Sequence, residues 1–375
     1  MRRIPITLAA LTLLATGLLA VWAWKAKTRN PSPTVAASSS PPAKTESSKL
    51  SADPISPVMD FLGGAPDATE VQNKFQELKR SLAAMPKDEA VAFIRQFFAS
   101  GNDRATGLSF EINGDGLMKE WPTFRTFLLD ALLSIDPAAA AALSREILTT
   151  PTTADEWALA LRNIGRAEND PTFLRSKAEE LITNPAWQAD PSIGYLNAFD
   201  VLVHVDATGS TPLLSSLIQR KDRRDLAHAG FLTLDRLVQR QPVDELTRLA
   251  TDTALQQSRP EMVAQQFARA DLRDPAQQTL VKAWLLDPAR KPTELRAFAG
   301  VYPNNNQFVS NNLLTRQAAQ TGDDLAAHDR EALTVLTSWQ NDPAFSAVKE
   351  HLTAMVSRLN GFVGTRTSPT PPPAE

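Results

Sequence analysis

The chain contains no cysteine, which excludes disulfides, thiolate metal centres and lipid attachment through cysteine. Histidine is scarce as well. His204, His228, His328 and His351 include no i,i+4 pair and no His-Glu-x-x-His run, so the zincin pattern is excluded. There is no Gly-x-Ser-x-Gly elbow, and no glycine-rich loop ending in Lys-Ser or Lys-Thr. The motif-borne routes to acyl and phosphoryl transfer are therefore missing. Basic charge is also short where it would matter. Of 39 Lys and Arg, 7 precede Val58, against 2 of 42 Asp and Glu, which leaves the remainder at about −8. An acidic body lacks the basic stripe that sequence-independent nucleic-acid binding needs. Strand signals are rare. Only Leu108 to Ile112, before Asn113-Gly114-Asp115-Gly116, reads as a short extended piece or hairpin.

One uncharged run stands out, Ile4 to Trp24, with Arg2 and Arg3 before it and Lys25, Lys27 and Arg29 after it. As a helix these 21 residues span roughly 31 Å, close to a bilayer's hydrocarbon core. A cleaved export signal and a retained anchor are the two readings. Val21-Trp22-Ala23-Trp24-Lys25 puts bulky side chains where cleavage wants small ones, and the nearest small-x-small choice is Ala36-Ala37-Ser38. Trp22 and Trp24 fit an interfacial aromatic belt, with Lys25 snorkelling beyond it. Residues 1–29 are thus expected to be a transmembrane signal anchor, with cleavage and secretion as the alternative. The flanking charges nearly balance. The three-residue tail resembles an export signal's n-region and favours an extracytoplasmic body.

Residues 30–57, rich in Pro, Ser, Ala and Thr, read as a disordered linker, and 364–375 as a disordered tail. Between them, 58–363 is written as helices. Asp-Pro occurs at Asp136, Asp170, Asp190, Asp274, Asp287 and Asp342, and Asn184-Pro185 is a related case. Asp or Asn at N-cap accepts free first-turn N–H groups, and Pro at N1 has none to leave unpaired. Thr153-Ala154-Asp155-Glu156 fits a capping box. Apolar stripes at helical spacing follow Asp170 and run through 222–241 and 329–339, and a last long helix is expected from about Pro343 to Asn360. About fourteen helices with short connections predict an all-α fold, an α-solenoid of antiparallel helix pairs. The Asp-Pro spacings are irregular, so no strict tetratricopeptide period is present. In this general pattern the body resembles the HEAT-like class of helical repeats. That resemblance implies a protein-binding scaffold more often than an enzyme. Superhelical lytic transglycosylases, an enzymatic use of stacked helices, need a Glu-Ser motif, and here the pair occurs only at Glu46-Ser47, in the linker.

No catalytic residue, metal ligand or cofactor is assigned from the sequence. Three stretches invite a binding reading. Glu111 to Gly116 has oxygen ligands and a glycine placed as at the start of a calcium loop, but Pro122 occupies the twelfth position, so a tight polar turn competes. Arg223 and Arg224, in Arg220-Lys221-Asp222-Arg223-Arg224, could meet an acidic partner, or could serve an interhelical corner. Tyr302, Asn304, Asn305 and Asn306 could recognise a peptide backbone or a sugar, or could form a turn before an N-capped helix. The partner expected is a protein or peptide at the cell envelope, with an envelope enzyme or carbohydrate-binding subunit as the alternative.

Overall fold

The computed structural model describes residues 53–307, 312–317 and 320–367. The apolar run with Trp22, Trp24 and Lys25, and most of the tether, lie outside the described residues. Among those residues no helix is long and apolar enough to cross a membrane.

The described chain is all-α apart from one hairpin. Helices α1 (Ser56–Gly63), α2 (Ala68–Ala84) and α3 (Lys87–Ala99) precede strands β1 (Glu111–Ile112) and β2 (Met118–Glu120), which pair antiparallel. Next come α4 (Phe124–Ile135), α5 (Pro137–Ile147), α6 (Ala154–Ala167) and α7 (Pro171–Thr183). Three single-turn helices follow: α8 (Pro185–Ala189), α9 (Ile193–Asn197) and α10 (Asp200–His204). The series continues with α11 (Thr211–Ile218), α12 (Arg224–Arg240), α13 (Pro242–Thr251), α14 (Thr253–Ser258), α15 (Pro260–Phe267), α16 (Pro275–Leu286) and α17 (Pro292–Val301). Helix α18 (Gly322–Asn341), a 3-10 segment (Pro343–Val348) and α19 (Lys349–Thr367) complete it.

Local capping accounts for many of these starts. Asp136, Asp170, Asn184 and Asp274 each accept first-turn N–H groups ahead of a proline, and Asp342 does the same for the 3-10 segment. Two Asp-Pro pairs depart from the expectation. Asp190 ends α8, and Ser192 caps the next helix instead. Asp287 closes a turn by accepting from Ala289 N at 2.9 Å. Thr153 caps α6 through Glu156 N at 3.2 Å, but the Glu156 carboxylate does not reach back to complete a box. It is drawn off by Arg125, at 2.6 and 3.1 Å, because a buried carboxylate gains more from a bidentate guanidinium than from one amide. Order also begins earlier than Val58. Asp53 accepts from Ile55 N at 2.9 Å and Ile55 is buried, so the last residues of the expected linker belong to the body. At the other end α19 runs on to Thr367, past the expected start of the tail.

One apolar core runs through the described body. Near its start Phe75 stacks on Phe127 at 4.1 Å, with Trp121 edge-on to Phe127 at 5.1 Å. Further along, Phe267, Trp284, Phe298 and Tyr302 follow one another at 5.1, 5.3 and 5.4 Å. Trp187, half-buried, packs edge-on against Trp157 at 5.2 Å.

Several polar links between elements share a similar separation in sequence, beside others such as Arg145–Glu168 at 23 residues and Arg95–Glu146 at 51. Arg125–Glu156, Arg162–Asp130, Arg236–Asp200, Arg240–Asp206, Arg269–Asp235 and Arg290–Gln256 join residues 31, 32, 36, 34, 34 and 34 apart. Thr211 bonds Glu245 across 34 residues, and Arg269 reaches the Asn304 carbonyl across 35. The capping sequences show no such period, because caps are local and helix lengths vary.

Candidate functional site

Helix α12 sets one wall of the site. Leu226, Gly230, Leu234 and Leu237 face the core, which leaves Asp235, Arg236, Gln239 and Arg240 on the flanking faces. The turn after α15 contributes Arg269, Asp271 and Arg273, and α18 contributes His328. A second turn after α17, with a cis Tyr302–Pro303 peptide bond, supplies Asn304 and Asn305. The strap 312–317 adds Arg316 and Gln317. Together these surfaces enclose a cleft of about 480 Å³. Its lining includes five guanidiniums, several carboxamides and a single carboxylate, Asp271.

Four of the guanidiniums are held by carboxylates. Arg236 pairs with Asp200 at 2.7 Å and also donates to the Thr315 hydroxyl. Arg240 pairs with Asp206 at 2.5 Å, an attraction that holds the Asp206 carboxyl below its usual range. Arg269 pairs with Asp235 at 2.5 Å and donates to the carbonyls of Asn304 (3.0 Å) and Asn306 (2.9 Å). Burial pushes the Asp235 carboxyl up, and the pull of Arg269 only partly offsets it. Arg273 bridges Asp271 at 2.6 Å and Asp324 at 2.7 Å. Burial raises the Asp271 pKa, but hydrogen bonds from Arg273 outweigh it with help from His328, so the net shift is downward. Among the described residues Arg316 has no carboxylate partner, and it is exposed. His328 sits in the wall with Nδ1 3.2 Å from Asp329 Oδ1 and Nε2 3.9 Å from Asp271 Oδ1.

The strap is pinned from below. Asp200 Oδ2 accepts Leu314 N at 2.7 Å and Thr315 N at 2.9 Å. Gln317 Nε2 donates to Gln239 Oε1 at 2.6 Å. Leu313 is buried, and the backbone at 312–313 presses on the hairpin turn at Gly116. That turn is the segment with a calcium-like beginning. Asn113 N donates to Leu117 O at 2.8 Å and Gly116 N to Asn113 O at 2.9 Å. Asp115 accepts Leu117 N at 2.9 Å. Among the described residues no cluster of three or more His, Asp and Glu could hold a metal ion.

The residues singled out from sequence separate in space. Asn304 and Asn305 line the cleft, and Asn306 is exposed beside it. Tyr302 is fully buried, its ring stacked on Phe298, so it presents no surface to a ligand. Arg223 lies elsewhere. It pairs with Asp225 at 2.7 Å and donates to the Gln188 and Ala189 carbonyls (the latter at 3.0 Å) at the end of α8. This is an interhelical corner in which a cation meets free carbonyls. Arg224 is exposed at the start of α12. The cleft arginines gave no local signal in sequence, because they come from several separate elements. The chain matches no protein-family model, no curated protein and no solved structure.

Proposed function

We propose that the chain is a membrane-tethered α-solenoid that binds a segment of a partner protein at the cell envelope. The anchor is the apolar run Ile4 to Trp24, and the body faces away from the cytoplasm. The recurring links about 34 residues apart support the repeat architecture, since stacked helix pairs contact the next pair at a constant offset. The observation that carries the binding reading is the cleft: amides and guanidiniums around one carboxylate that Arg273 already occupies. Glycoside chemistry needs two carboxylates facing one bond, roughly 5–10 Å apart. Peptide recognition needs donors and acceptors in a groove, which carboxamides supply.

A photo-crosslinking amino acid placed at Asn305 or Gln320 in the full chain, in cells, tests this. One dominant partner should be recovered from both positions and not from Glu77 on α2. Recovery of the same abundant proteins from all three positions would refute it.

A further inference from the structure

We infer, on the basis of the binding reading above, that the cleft selects an acidic peptide segment, one of whose Asp or Glu carboxylates docks on Arg316. Charge provides the first argument. Arg236, Arg240, Arg269 and Arg273 are engaged by Asp200, Asp206, Asp235, Asp271 and Asp324. Arg316 is left over, a fork of donors without a carboxylate among the described residues.

A second argument is the company it keeps. Arg166 also lacks an ion-pair partner there and gives its guanidinium to the Asp115 carbonyl. Burial lowers the Arg166 pKa, and repulsion from Arg162 and Arg316 adds to the effect, while attraction from Asp115 and Asp130 offsets only part of it. Arg162 is answered directly by Asp130 at 2.7 Å, whereas Arg166 and Arg316 repel each other with no carboxylate paired to either among the described residues. A bound carboxylate would relieve that repulsion.

Preorganisation is the third. Thr315 is fixed by Asp200 through its backbone N–H and by Arg236 through its hydroxyl, and the Gln317 side chain bonds Gln239, so Arg316 lies between two tethered residues before any ligand arrives. A guanidinium on a pinned strap loses less freedom on binding than one on a free loop.

The lining chooses between a peptide and a small oxyanion. The Asn305 carboxamide has no hydrogen-bond partner among the described residues, and Gln320 is exposed at the same cleft. Each offers a donor and an acceptor, which suits a peptide backbone, whereas an oxyanion only accepts. The body as a whole is acidic, so the attraction is local and fades beyond a Debye length of about 8 Å at physiological salt.

The test is fluorescence anisotropy on the full chain at low salt, with a labelled peptide of alternating glutamate and alanine and its glutamine counterpart. The glutamate peptide should bind saturably, at least tenfold tighter than the glutamine one. Arg316→Glu should weaken it at least tenfold at an unchanged melting temperature, and Arg316→Gln should weaken it less. Arg80→Glu, the same charge change on α2, should leave it unaltered. Millimolar inorganic phosphate should not compete. Equal binding of the two peptides, an unaffected Arg316→Glu variant, or competition by phosphate would each overturn the inference. So would the absence of any peptide binding. If crosslinking from Asn305 still recovers one dominant partner in that case, the scaffold reading survives and only the acidic selectivity fails.

Discussion

Asp200 holds Thr315 across 115 residues of chain, accepting its backbone N–H at 2.9 Å and its hydroxyl at the other carboxylate oxygen. The same carboxylate accepts Leu314 N and pairs with Arg236, so one buried side chain carries both the strap and a wall of the cleft. Arg236, which lines the cleft, also lines a separate cavity of about 340 Å³ together with Asp200. Removing this carboxylate strands a guanidinium and two amides together.

Asp200→Ala is expected to cost about 3–5 kcal/mol, as for loss of one partner of a buried ion pair. Hydrogen exchange at Leu314 and Thr315 should accelerate well beyond exchange in α4. Retained protection of those two amides would show that the strap is held by something other than Asp200.

A second buried pair ties the hairpin to the helices. Arg162, fully buried, meets Asp130 at 2.7 Å and donates to the Gly116 carbonyl at 3.3 Å, while Asp130 accepts Trp121 Nε1 at 3.1 Å. Arg162→Met leaves a charged carboxylate in the core and should cost about 3–5 kcal/mol. Adding Asp130→Asn keeps an acceptor for Trp121 and removes the charge, so the double variant should unfold at higher denaturant than Arg162→Met alone. Additive losses would contradict this assignment.

Glu245 predicts a pH dependence. Its carboxyl is buried, with a hydrogen bond from the Thr211 hydroxyl and no ion pair among the described residues. Burial pushes its pKa from 4.5 up to about 7, and the Thr211 bond offsets only part of that rise. An acid whose folded pKa exceeds its unfolded value keeps its proton on folding. Its contribution is full below pH 4.5 and is lost as pH rises through about 7. The whole step is about 3 kcal/mol. Urea unfolding at pH 5 and pH 8 should show the native chain losing roughly that amount relative to Glu245→Gln. Parallel behaviour of the two proteins would rule it out.

Gly116 is the point where hairpin and strap touch. Its φ is +75°, and a Cβ there would lie 2.9 Å from the Asn312 carbonyl and closer still to that of Leu313. Gly116→Ala should therefore destabilise by more than the roughly 1–2 kcal/mol of left-handed backbone alone. A change of rotamer nearby does not relieve the clash, since these two obstacles are backbone oxygens that cannot rotate away. A melting temperature equal to the parent's would disprove the contact.

Much of the helical fold was legible because its signals are local. A cap and the N–H group it accepts from lie within three residues, as at Asp136, Asp170 and Asp274, and an apolar stripe repeats every three or four. The same locality misled where a tertiary partner competed, as when Arg125 took Glu156 from its capping box. Within one stretch of the turn after α17, Asn304 and Asn305 reach the cleft while Tyr302 is drawn into the core beside Phe298. Sequence marked the stretch as unusual but could not say which side chains face outward.

By itself, the sequence determined that this protein is helical, lacks thiol chemistry and the familiar catalytic motifs, and carries one uncharged run from Ile4 to Trp24 flanked by cations. Tertiary structure alone decided that Arg236, Arg269, Arg273 and Arg316 share a cleft, and that, among the described residues, three of them are neutralised while the fourth is not. The reason is range. Capping and periodicity act within a turn or two of helix, whereas an ion pair depends on which helices stack, and that is set by burying the whole core at once.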